Sequence, residues 1–129
     1  MSYHKELTSY IECLCEEETY EELEGFYFFK SGGSCTTCTD SALKIARKFN
    51  GKVYGYDCTK NPEALIGVKY CSGHDFAMVA ERYIVDYWAF RFIPVVRKPV
   101  FDIAIELDRA QVRRLYGNRD NWVEVDSSH

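Results

Sequence analysis

The chain has 129 residues and a mass of 15.0 kDa, enough for one domain with a single sizeable core. Apolar residues make up 47% of it and aromatic residues 16%, which excludes a disordered chain. The net charge of −4 argues against a nucleic-acid-binding protein, because such proteins carry a basic face.

The negative charge is concentrated at the N-terminus. Residues 1–24 hold eight Glu against one basic residue, Lys5, whereas the rest of the chain carries 15 basic and 12 acidic side chains. We interpret the run EEETYEELE as the solvated face of an acidic helix. A basic protein partner that docks on this helix is an open alternative.

The sequence contains no targeting or membrane segment that we recognise. Its start, MSYHKELTSY, lacks the apolar stretch of a signal peptide, and no apolar run approaches the roughly 18 residues of a membrane span. We therefore expect a cytoplasmic protein with no membrane partner. In that reducing compartment, the six cysteines are more typical of thiols, metal ligands or a nucleophile than of disulfides: Cys13, Cys15, Cys35, Cys38, Cys58 and Cys71.

The first half of the chain predicts two helices and a strand. A helix over 4–24 is indicated by apolar residues at near-helical spacing, with Gly25 as C-cap: Leu7, Ile11, Leu14 and Leu23. A short aromatic run, FYFFK, and a turn, SGGS, lead to a helix over 37–49, which the dipeptide NG at 50–51 ends. The segment KVYGYDC then alternates like a strand.

The second half predicts mostly antiparallel strands. DFAMVAERYIVDYWAFRF is typical of two central strands that turn around Glu81 and Arg82, and IPVVRKPVFDI of an edge or exit strand. Asp108 can cap a last helix, RAQVRRLYG, before a polar tail. We expect one α+β domain over 1–129, with an acidic helix at 1–24, a core at 31–90 and a strand, helix and tail at 100–129.

The stretch SGGSCTTCTDSALKIA, residues 31–46, places two cysteines at a predicted helix start. With Thr37 as N-cap and Asp40 three residues later, Cys38 takes the first helical position. A helix N-terminus and a nearby imidazolium can lower a thiol pKa from about 8.5 to roughly 3.5–7.5, which creates a nucleophile. The N–H of Cys38 could also stabilise an oxyanion. If Ser34 is the cap instead, Cys35 becomes the nucleophile.

A thiolate nucleophile needs a base and a group that orients the base. His74 is the candidate base, because the other two histidines lie at the termini. A turn centred at Glu81 places His74 one diagonal step from Asp86 on the same face of the hairpin. Asp75 is the competing orienter, although its side chain should point to the opposite face.

These segments resemble a known family. GGSCTTCTDSA resembles the papain-type nucleophile segment, and GHDFAMVAERYIVDYW is similar to the His-bearing and carboxylate-bearing strands of papain-like folds and transglutaminases. The compact form resembles small bacterial papain-fold toxin domains. Over residues 31–90 the resemblance implies a helix packed on an antiparallel sheet, with Cys38, His74 and Asp86 as nucleophile, base and orienter.

Two departures narrow the expected activity. Papain-type enzymes place an oxyanion-stabilising Gln six residues before the nucleophile, where this chain has Gly32, so backbone N–H groups around Gly32 and Gly33 would have to substitute. The chain is also far shorter than a papain peptidase. We therefore expect deamidation, isopeptide cleavage or acyl transfer on a protein or peptide substrate, with no cofactor. Tyr87 and Trp88 could wall the site, although core packing fits Trp88 better.

Three other functions stay open. A zinc site could combine Cys35 and Cys38 with Cys58 and with Cys71 or His74, but the two later cysteines lack knuckle spacing. A thioredoxin-like redox pair would need a βαβ pattern, which the later hairpins do not match. The third is a binding or immunity-type module, or a catalytically inactive papain-like scaffold.

Overall fold

A computed structural model of the protein describes residues 3–17, 36–70 and 72–125. Its longer helices are α1 Tyr3–Glu17, α2 Thr36–Phe49, α3 Tyr87–Phe92 and α4 Glu106–Tyr116. Its strands are β1 Lys52–Asp57, β2 Gly73–Val79, β3 Tyr83–Val85, β4 Val100–Asp102 and β5 Val123–Val125. A π-helix, Ile66–Tyr70, precedes β2, and a 3₁₀-helix, Arg119–Asn121, precedes β5.

The five strands form one antiparallel sheet in the order β4-β3-β2-β1-β5. Helices pack on both of its faces, which confirms a mixed α+β fold. β2 is the central strand and β4 an edge strand, as the sequence predicts. Among the described residues, no helix has both the length and the apolar character needed to cross a membrane.

The two faces of the sheet carry separate cores because residues of β2 alternate between them. His74, Phe76 and Met78 face the core beneath α4, which we call the α4-side core. Ala77 and Val79 face the α1/α2-side core, built with buried residues of the first two helices: Leu7, Ile11, Leu14, Ala42, Ile45 and Ala46.

Helix boundaries agree with the sequence where local signals are strong. In α1 the predicted stripe Leu7, Ile11 and Leu14 is buried, while Leu23 and Gly25 lie outside the described residues. Helix α2 ends before Asn50, whose φ of 54° is the left-handed conformation that stops helices.

Thr37 is not the N-cap of α2, contrary to the prediction. Thr36 and Thr37 are already helical, so Cys38 is the third helical residue rather than the first. The first turn is held by tertiary contacts, because Thr39 Oγ1 donates to Asp75 Oδ2 at 2.5 Å and the Asp75 N–H donates to the Cys38 sulfur.

Two further expectations are corrected. The strand predicted to run through Asp86 stops at Val85, because the Asp86 carboxylate accepts the Ala89 N–H and begins helix α3. Asp108 does not cap α4, which begins at Glu106; instead it accepts the Asp102 N–H and pairs with Lys98. The polar tail also contains a strand, β5, that pairs with β1.

Candidate active site

Strand β3 is short and pairs with only part of β2. Cys38 lies beside the part of β2 that β3 does not reach. Arg82 donates to the Val79 carbonyl, so residues 75, 77 and 79 of β2 direct their backbone polar groups toward β3. The ladder with β3 ends at the pair Ala77 and Val85. The Asp75 N–H therefore lies beyond it, and it donates to the Cys38 sulfur at 3.5 Å.

The predicted hairpin register brings His74 to Asp86. The pairs Ala77–Val85 and Val79–Tyr83 give the turn centre at residue 81 that the sequence indicates. His74 Nε2 lies 2.5 Å from Asp86 Oδ2, and both side chains are buried, at 0% and 2% exposure. An ionised carboxylate at this depth needs such a partner.

Asp86 is fixed by three elements. Its N–H donates to the Pro99 carbonyl at 2.8 Å, and its Oδ1 accepts the Ala89 N–H of helix α3 at 3.0 Å. Its Oδ2 accepts both His74 and the Tyr116 hydroxyl of helix α4, the latter at 2.7 Å. The carboxylate thus faces the imidazole in one orientation.

The environment of His74 decides its charge. Burial lowers its pKa, but the Asp86 charge and hydrogen bond, followed by the Cys38 sulfur, outweigh burial and raise the pKa well above 6.5. The imidazole Nδ1 is buried and makes no regular hydrogen bond with the described residues, while the Cys38 sulfur is among the groups that act on the imidazole.

Aromatic rings enclose the imidazole. Trp88 lies 5.5 Å from it between ring centroids and Tyr116 lies 6.0 Å away. Trp88 is also buried in the α4-side core, so the same side chain packs in that core and encloses the imidazole. Tyr87 does not wall the site: it is buried in the α1/α2-side core, where its hydroxyl donates to the Leu14 carbonyl.

Tyr116 is the site residue that the sequence does not reveal. Burial and the Asp86 charge raise its pKa well above 10, so the hydroxyl keeps its proton and donates. Its carbonyl accepts the Asn61 amide and the Trp122 indole N–H, both at 2.8 Å. Gly117 permits this approach, because a Cβ there would lie 2.2 Å from Asn61 Oδ1. Helical spacing marks Tyr116 only as an inward residue.

Asp75 does not join this cluster, and several other candidates lie outside the described residues. The Asp75 carboxylate accepts Thr39 rather than His74, on the opposite face as expected. The alternative nucleophile Cys35, the glycines Gly32 and Gly33, and Cys71 lie outside the described residues. Among the described ones, no group of three His, Cys, Asp or Glu side chains is arranged to hold a metal ion.

Comparison with known proteins adds no relative. No family model matches the sequence, and no curated protein or solved structure gives a significant match. The function must therefore be argued from the arrangement of Cys38, His74, Asp86 and Tyr116.

Proposed function

We propose that this protein is a cysteine-dependent hydrolase or acyltransferase that acts on an amide, isopeptide or thioester carbonyl of a protein or peptide. The observation that carries the proposal is the buried His74, held by Asp86 at 2.5 Å and electrostatically coupled to the Cys38 sulfur. A base between a nucleophile and an orienting carboxylate is the arrangement used for acyl transfer.

The proposed reaction has two halves, acylation and deacylation of Cys38, and His74 transfers one proton in each. The Cys38 thiolate attacks the carbonyl carbon, a C–S bond forms, and the bond to the leaving amine or thiol breaks as His74 delivers its proton. Water or another acceptor then attacks the acyl-cysteine and loses its proton to His74, and the C–S bond breaks. Asp86 keeps the imidazole oriented throughout.

The surroundings of Cys38 favour its thiolate. It lies in the first turn of α2, where the helix dipole stabilises negative charge, and its sulfur accepts the Asp75 N–H. The imidazolium of His74 adds a positive charge. These three features lower the thiol pKa, whereas burial of Cys38 raises it, and the proposal requires the three features to prevail.

The proposal extends to a papain-like core. Its support is the order of parts: a cysteine in the first turn of a helix, a histidine on the central antiparallel strand, and a carboxylate directly after the next strand. The likeness to small bacterial toxin domains stays a prediction that the substrate will decide.

Thiolate formation is the first test. We expect the ultraviolet thiolate absorbance of the wild type, minus that of Cys38→Ser, to develop at a midpoint well below the usual thiol pKa of about 8.5. His74→Gln should return the midpoint toward that value. A wild-type midpoint at or above it would contradict the proposal.

Acylation is the second test. We expect a small thioester, S-phenyl thioacetate, to transfer its acetyl group to Cys38, because the buried thiol suits a small probe. Intact-mass spectrometry should detect one acetyl adduct in the wild type and in Cys13→Ser, a matched loss of an exposed thiol, but none in Cys38→Ser.

A structural role for the cluster is the second candidate function, and the burial of Cys38, His74 and Asp86 favours it. In that case the protein is an inactive interaction module. Thiolate formation without any acetyl adduct would select this alternative over the hydrolase.

A further inference from the structure

A cavity of about 390 Å³ lies between the loop after α3, strand β4 and helix α4. Arg97, Lys98 and Arg114 line it together with the apolar side chains of Phe101 and Leu115. None of the four residues of the candidate active site lines it, and its size is within the range of small-ligand pockets.

Two of its three cationic groups are not neutralised. Lys98 pairs with Asp108 and lies over the Phe101 ring at 5.4 Å. Within the described part of the chain, Arg97 and Arg114 form no hydrogen bond or ion pair, and no carboxylate lines the cavity. The cavity therefore presents two guanidinium groups that have no partner among the described residues, beside apolar side chains.

This combination selects a ligand chemistry. A guanidinium presents parallel N–H donors that match a carboxylate, and it tolerates an apolar neighbour better than an ammonium does. Val95, Phe101 and Leu115 offer no hydrogen-bonding side chain, so the part of the ligand that meets them is apolar, and Gln111 is the uncharged polar side chain of the lining. A strongly hydrated inorganic anion has no apolar part that could contact Phe101 and Leu115.

We propose that this cavity binds a carboxylate on a short apolar body, with the charge between Arg97 and Arg114 and the apolar part against Phe101 and Leu115. The C-terminus of a peptide that ends in an apolar residue has this chemistry, and so does a small aryl-alkanoate. The site does not require the proposed reaction.

Isothermal titration of the full chain tests the ligand class. We expect acetyl-Gly-Gly-Phe to bind at least about tenfold more tightly than its C-terminal amide, because charge-assisted hydrogen bonds are lost in the amide. Equal binding of acid and amide, or no binding of either, would overturn the proposal. So would inorganic phosphate that displaces the peptide at equal concentration.

A further arm separates the two sources. Phenylpropionate that binds as tightly as the peptide assigns the cavity to small carboxylates, and much weaker binding assigns it to peptide C-termini; both results keep the proposed chemistry. Backbone NMR shifts on titration should map to residues 95–101 and 111–115. Shifts confined to other residues would contradict the location.

Matched double variants test the two arginines. Arg97→Gln with Arg114→Gln should weaken binding of the peptide acid about tenfold or more. Arg109→Gln with Arg113→Gln removes the same charge from helix α4, at side chains directed to the Ile103 carbonyl and Glu63, and should change binding less than about twofold. Equal losses in both pairs would reduce the effect to net charge and overturn the site.

Discussion

Asp86 Oδ2 is shared by His74 and Tyr116, and this sharing sets how firmly the pair holds its proton. The Tyr116 hydroxyl stabilises the carboxylate most when the imidazole is neutral, because the pair then carries a full negative charge. The carboxylate keeps its orientation without Tyr116, since Oδ1 is bound by Ala89 N–H.

Tyr116→Phe should therefore raise the apparent pKa of the His74–Asp86 pair. Imidazole NMR titration in a Cys38→Ser background measures this shift without thiol ionisation. Tyr87→Phe removes a buried hydroxyl from the other core and should leave the titration unchanged. A lower pKa in Tyr116→Phe, or the same shift in both variants, would contradict the assignment.

The raised pKa of His74 also makes stability depend on pH. A group whose folded-state pKa is raised stabilises the protein fully below its unfolded pKa, near 6.5, and this stabilisation is lost as pH rises through the folded-state pKa. In Cys38→Ser the free energy of unfolding should fall above pH about 6.5, by up to roughly 1.4 kcal/mol per pH unit.

Urea unfolding from acidic to alkaline pH measures that slope. The matched variant, Cys38→Ser with His74→Gln, lacks the titrating imidazole and should lack this contribution. Because every other group titrates in both proteins, the difference between the two curves isolates His74. Parallel curves would show that the imidazole binds no extra proton in the folded state.

At the scale of elements, the β2–β3 hairpin sets the site, because its register decides which side chain faces His74. Its turn holds Ala80 and Glu81 at φ of 57° and 53°, the left-handed conformations of a type I′ turn. Ala80 is exposed, so its Cβ adds strain of about 1 kcal/mol without compensating packing.

Ala80→Gly should therefore stabilise the protein by about 0.5 kcal/mol in urea unfolding, because the relieved strain exceeds the unfolded-state entropy cost of a glycine. Ala104→Gly is the matched control: Ala104 is also an exposed turn residue, but its φ is not positive. It should destabilise the protein by roughly 0.5 kcal/mol through unfolded-state entropy. The same sign for both substitutions would exclude strain at Ala80.

The hairpin was predictable from sequence because two short apolar segments on either side of Glu81 and Arg82 are a local property of the chain. The role of Asp86 as a helix N-cap was not predictable, because an Asp between apolar and aromatic residues is equally compatible with a continuing strand. Tyr116 joins Asp86 only through the docking of α4, 30 positions further along the chain. The contacts of Cys38 and Thr39 with Asp75 join positions more than 35 residues apart, so no capping pattern predicts them.

At the scale of the whole molecule, the site depends on both cores. Helix α2 packs in the α1/α2-side core, but its Cys38 is buried in the α4-side core, on the side where His74, Asp86 and Tyr116 meet. Because the central strand β2 belongs to both cores, we expect them to unfold as one cooperative unit.

Ile45→Val and Ile84→Val test this cooperativity with identical chemistry, since each removes one methylene from a fully buried residue in a different core. Each should cost about 1 kcal/mol. Both should lower the urea midpoint of far-ultraviolet circular dichroism and of the Cys38 thiolate absorbance by the same amount, with unchanged m-values. If Ile84→Val lowers the thiolate midpoint alone, the α4-side core unfolds separately and the site can be lost while α1, α2 and the sheet persist.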